Sequence, residues 1–245
     1  MRPDSAPVIV LFLLAGLSAS PQSPEPAQIG HMTTFREFLT QRNIELTEPS
    51  LVAALRNPDS HVRCWSALVL AEDKATDAVP AISEALQSET VLEAKAGIAL
   101  ALAQLGGQRG FATLKSMCGD RNIPTYLRLY ATMYMFDIDD EGCLDTVLEV
   151  LQSNADSGLR VLALSRISSF HKVSPDDSQR IVTATLKALA EETPAIRIAA
   201  SKALSGFPPA ISVPSLKNAI AIEQDETVKM QMRSSLQHLR EQETH

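Results

Sequence analysis

Aromatic residues are scarce in this 245-residue sequence, 4% of the chain with a single tryptophan. A sandwich or barrel core built on large rings is thereby disfavoured, and the many Ala and Leu residues suit helices packed through small and aliphatic side chains. There is no Gly-rich phosphate loop, no zinc-protease motif and no nucleophile elbow. The acidic runs Asp139-Asp140-Glu141 and Asp176-Asp177 lack the spacing of a calcium loop. The reading is therefore of a protein that is not an enzyme, with no catalytic residue, metal or cofactor. Blocks of basic residues are missing too, and the net charge of −7 would repel a polyanion, so nucleic acid is excluded as a partner.

No apolar run is long enough to span a bilayer comfortably: Val8 to Leu17 (VIVLFLLAGL) is too short. Its length, with Arg2 ahead and the small residues Ser18, Ala19 and Ser20 behind, is that of an export signal. Residues 1–20 are thus expected to be a signal peptide, with an uncleaved anchor or a buried helix as the alternative. Asp4 and Pro21 count against the signal. The Pro-rich stretch 21–33 is a linker. The expected destination is the periplasm or the extracellular space, with no membrane insertion after cleavage. Of three cysteines, Cys64, Cys118 and Cys143, at least one is unpaired within a monomer. Helical cores commonly bury free cysteine, which is the favoured reading; a Cys118–Cys143 bridge between neighbouring repeats is the alternative.

What the chain does have is a period. Arg63, Lys95, Arg128, Arg160, Arg197 and Lys229 each follow an apolar residue or Ala94 and precede another apolar residue by seven positions. Spacings of 32 to 37 residues identify a stacked-repeat array. Each unit divides into two helices. In the first, Thr47 caps a helix bearing Leu51, Ala54 and Leu55, Asn57 to Ser60 forces a turn, and a second helix runs from His61 to about Glu72, burying Val62, Ser66 and Leu70. Val79-Pro80-Ala81-Ile82 and Val213-Pro214-Ser215-Leu216 read as matching helix starts. Residues 34–47 hold a short helix that caps the open end, and 48–242 form the array.

The stretches Asn57-Pro58-Asp59-Ser60-His61-Val62-Arg63 and Ile196-Arg197-Ile198-Ala199-Ala200-Ser201-Lys202-Ala203-Leu204, with the two Val-Pro starts, resemble HEAT repeats, in particular the short form of phycobilin-lyase-like HEAT proteins. The resemblance implies an all-α superhelix of about six helix pairs whose recurrent cation is structural. Turn acids, Asp59, Glu89, Asp120, Asp156, Glu192 and Asp225, are its expected partners. It also implies that the second helices line a concave side. The positions one and five after the cation should face outward there. They are Cys64, Ala96, Leu129, Val161, Ile198 and Met230, then Leu68, Leu100, Met133, Ser165, Lys202 and Ser234. The apolar members over the first three repeats suggest a groove for a protein partner, contacted by Trp65, Leu68, Leu100, Tyr130 and Met133. The alternative is that neighbouring helices cover them. The expected function is an interaction scaffold or adaptor of the cell envelope or exterior. A phycobilin-lyase-like or chaperone-like accessory subunit, or a regulatory subunit of an envelope enzyme, is the runner-up.

Overall fold

The structure is a computed structural model that describes residues 34–138, 142–153, 155–170 and 173–242. The expected signal and linker, His31, His171, His245 and the acidic run at 139–141 lie outside these. Among the described residues the chain is all helical. A short α1 (Phe35–Gln41) precedes six helix pairs: α2 (Glu48–Ala54) with α3 (Ser60–Glu72), α4 (Val79–Ser88) with α5 (Leu92–Gln104), and α6 (Gln108–Gly119) with α7 (Thr125–Asp137). The others are α8 (Leu144–Gln152) with α9 (Ser157–Ile167), α10 (Pro175–Ala188) with α11 (Pro194–Ala203), and α12 (Pro209–Ile222) with α13 (Glu226–Gln242). None is long and apolar enough to cross a membrane. The chain divides into two compact units, up to Leu114 and from Lys115, with the boundary inside α6.

Local chemistry sets the helix ends. Thr34 and Glu37 form a reciprocal capping box at α1. Asp59, Asp156 and Asp225 each accept the backbone N–H two residues on, at the starts of α3, α9 and α13. Thr47 occupies the expected cap of α2 without a side-chain hydrogen bond, Pro49 sitting in that first turn instead. The two Val-Pro starts are not equivalent. Pro80 lies in the first turn of α4, whereas α12 begins earlier, at Pro209, and carries Pro214 in its interior.

Second helices pack side by side within each unit: α3 on α5 in the first, α9 on α11 and α11 on α13 in the second. Val62, Ser66 and Leu70 are buried as expected. The α3–α5 approach is close enough that a Cβ at Gly97 would overlap the Cys64 sulfur and touch Leu68. At the start of the first unit α1 packs on α3 around Trp65: its ring lies 3.8 Å from Phe38 and 5.3 Å from Phe35, while the Arg42 guanidinium stacks 3.4 Å over Phe38.

Candidate interaction surface

The recurring cation builds the frame on which any surface is carried. Arg63 grips both Glu89 oxygens at 2.8 Å and gives its remaining hydrogen bonds to the carbonyls of Asn57 and Pro58. Arg197 repeats the arrangement with Glu223, at 2.7 and 3.0 Å, and the carbonyls of Glu191 and Glu192. In both, one carboxylate oxygen also accepts two backbone N–H groups of the following turn, Thr90 and Val91 or Gln224 and Asp225. Each pair thus ties one repeat's second helix to the turn inside the next repeat. The carboxylates respond accordingly. Burial pushes Glu89 up, but the Arg63 fork and the backbone donors win and hold it below its ordinary value. Arg197 holds Glu223 down in the same way.

The other cations vary the theme. Arg128 is buried, donating to both Glu149 oxygens, to Thr146 Oγ1 and to the Cys118 carbonyl. Arg160 pairs with Glu191 at 2.6 Å. Lys229 reaches Glu226 on its own helix, and Lys95 has no ion pair among the described residues. Arg63, Arg128, Arg160 and Arg197 thus each pair with an acid of the next repeat, but the partners differ from those expected. Glu89 alone of the turn acids fills that role; Asp59, Asp156 and Asp225 cap helices, and Asp120 closes a turn onto Asn122. Acids at the ends of first helices take their place.

The expected groove is not on the surface. Leu68, Leu100 and Met133 are 4%, 1% and 0% exposed, and Ala96 and Leu129 are buried as well. Gly97 explains part of this: with no side chain there, α5 closes directly over Cys64 and Leu68. Trp65 is half-buried under α1, and Tyr130 is half-buried with its ring edge-on to Tyr126. Burial pushes the Tyr130 phenol up.

The same two register positions open in the last three repeats. Along α9, α11 and α13, Val161 and Ile198 are half-buried, Met230 is 57% exposed, and Ser165, Lys202 and Ser234 are exposed. An apolar row thus lies beside a polar one on three successive helices. The sequence signal for it was the change at the second position, from Leu68, Leu100 and Met133 to Ser165, Lys202 and Ser234. The first unit has a cleft of about 350 Å³ between α2 and α4, but Arg63 and Glu89 at its floor are already engaged with each other and with backbone.

Two features depart from what the sequence suggested. Cys118 and Cys143 form a disulfide that joins the end of α6 to the residue before α8, the alternative of the two readings the sequence left open. Cys64 stays free, and burial of its sulfur pushes the thiol up to about 12. The second is Asp137, at the C-terminal end of α7, whose Oδ2 is buried without a hydrogen-bond partner among the described residues. Burial raises its carboxyl above the ordinary value, against the pull of Arg166. A raised folded value means the folded chain binds this proton more tightly than the unfolded one. Stability is therefore greatest below the unfolded value and falls as pH rises through the folded one. Asp137→Asn is expected to raise the melting temperature at pH 7 and to leave it unchanged near pH 3. Equal melting of the two proteins at pH 7 would refute a desolvated carboxylate.

The family model of HEAT repeats matches residues 48–133. No curated protein matches by sequence. Human deoxyhypusine hydroxylase, solved with glycerol, is similar at 18% identity and a TM-score of 0.41 over 79% of this chain and 74% of that one. An engineered protein is similar at 18% identity and 0.46 over 79% and 96%. The complex of CpcE and CpcF of the phycocyanin lyase from Nostoc sp. is similar at 18% and 0.36 over 89% and 100%. The hydroxylase and the lyase correct the expectation that this chain is not an enzyme, because helical repeats of this kind occur in enzymes. At such identities no activity, site or partner passes to this chain. Over residues 48–133 the chain matches HEAT repeats, and the described residues as a whole fold as the paired helices of an all-α solenoid.

Proposed function

We propose that this protein is an interaction scaffold that binds another protein along α9, α11 and α13. The observation that supports this most is the apolar row of half-buried Val161 and Ile198 and exposed Met230 beside the exposed Ser165, Lys202 and Ser234. Consecutive packed helices hold these side chains at fixed intervals, so little ordering cost is incurred on docking. The same face carries Lys202 and no carboxylate at those six positions, in a chain of net charge −7, which favours a partner with acidic and apolar groups side by side. The periplasm or cell exterior is the proposed location. The short apolar run at residues 8–17 supports it, as does the disulfide, since such bonds persist in oxidising compartments.

The test is capture of partners by the wild-type chain and by Ile198→Glu/Met230→Glu, with Ile222→Glu, at an exposed apolar position on α12, as control. A partner held by wild type and the control but lost by the double variant, with melting unchanged, is the expected result. A partner retained by all three would move the interface elsewhere.

A further inference from the structure

We infer that the Cys118–Cys143 pair is a thiol–disulfide exchange site, opened by a thiol that attacks Cys143 and backed by a polar clamp that keeps the repeat folded when the bond is open. The two sulfurs are not equivalent. Cys118 is fully buried, its sulfur 3.7 Å from the Met135 thioether, while Cys143 is half-buried in the loop before α8.

Access and leaving-group tendency oppose each other here. Cys143 stands at the N-cap of α8, where the helix terminus favours a thiolate, so it is by that measure the better leaving group. That preference is worth about fivefold at an exposed terminus and up to about thirtyfold at a partly buried one. Exchange requires in-line approach to the attacked sulfur, and enclosure of Cys118 removes that approach. Access therefore decides, and Cys143 is attacked.

The chemistry balances without further components. A thiolate attacks Cys143 Sγ, forming a mixed disulfide as the Cys143–Cys118 bond breaks. The electron pair leaves on Cys118 Sγ, which takes a proton from water. A second thiolate attacks the sulfur of the first reductant molecule, releasing the Cys143 thiolate and a disulfide of the reductant. The protein bond gains two electrons and the thiols lose two. In the reverse direction the helix terminus keeps Cys143 poised as the nucleophile.

What makes the bond an exchangeable latch is that a second connection spans the same helices. The Cys118 carbonyl accepts Thr146 Oγ1 at 2.7 Å and Arg128 Nε at 3.3 Å, and Arg128 also grips Thr146 and Glu149 on α8. Opening the disulfide leaves α6 joined to α8 through this clamp. Cys64 is half-buried like Cys143, but burial pushes its thiol up to about 12, which leaves little thiolate to enter the exchange.

The experiment treats the native chain with reduced glutathione, quenches in acid and maps the mixed disulfide by mass spectrometry. Glutathione on Cys143 should exceed that on Cys118 by at least about tenfold. Glutathione on Cys118, equal amounts on both, or reduction only in denaturant would each overturn the proposal. A second measurement tests the clamp. The reduced chain should unfold in one cooperative transition at a lower temperature, and Thr146→Val should lower melting more in the reduced than in the oxidised chain. Loss of cooperativity on reduction, or equal lowering in both states, would show that the clamp does not hold the opened repeat.

Discussion

Glu89→Ala is expected to cost about 3–5 kcal/mol of folding stability, the usual loss when one partner of a buried ion pair is removed. Its side chain is 1% exposed, and removing it strands the Arg63 fork together with the N–H groups of Thr90 and Val91. Glu223→Ala should reproduce the effect in the second unit, because Arg197, Gln224 and Asp225 are left in the same position. Arg63→Lys is not a conservative change here, since an ammonium cannot bridge both carboxylate oxygens while also reaching two carbonyls. The pairs also set an acid limit. Both carboxylates titrate below their ordinary value when folded, so the unfolded chain binds more protons across that window. Their contribution is complete above roughly pH 4.5 and is lost as pH falls through the folded values. Chemical denaturation at pH 7 and pH 3 checks this. The gap between wild type and Glu89→Ala should be wide at the first and narrowed at the second. Equal gaps would mean that Glu89 acts only through packing.

The period that revealed the fold was legible because an apolar residue, a cation and an apolar residue two turns on recur in every unit. At Arg63, Arg128, Arg160 and Arg197 that pattern seats a helix and ties it to its neighbour. The partners were less legible. Turn acids and helix-end acids look alike in sequence, and Asp59 is as close to Arg63 along the chain as any candidate, yet its carboxylate is committed to the His61 N–H. A short side chain next to a helix start is drawn to the free backbone donors there. A glutamate at the end of the next first helix has the reach to meet the guanidinium instead. The disulfide was open in the sequence because adjacency of repeats does not fix where two loop cysteines point. The surface was misplaced for a related reason. A helical wheel says which positions leave the pair's own core, and it is silent on how closely the neighbouring helix approaches. Gly97 set that distance between α3 and α5.

Leu68→Glu combined with Leu100→Glu is therefore expected to unfold the chain, where a surface groove would have predicted a folded protein that no longer binds. Both leucines are buried, and each substitution places a carboxylate among apolar atoms with no partner supplied for it. Burying one such group unpaired costs several kcal/mol even after the carboxyl takes up a proton. Two of them exceed much of the 5–15 kcal/mol that holds a typical domain folded. Circular dichroism should show loss of the cooperative transition at 25 °C for the double variant. Leu68→Met, which nearly conserves volume, should keep it within about 1.5 kcal/mol of wild type. Met230→Glu is the matching test in the last repeat: it occupies an outward register position, is 57% exposed, and should leave melting within about 0.5 kcal/mol. A folded Leu68→Glu/Leu100→Glu protein would return the groove to the first three repeats. An unfolded one beside a folded Met230→Glu would confine the accessible part of this register to the last three, where Ser165, Lys202, Met230 and Ser234 are exposed.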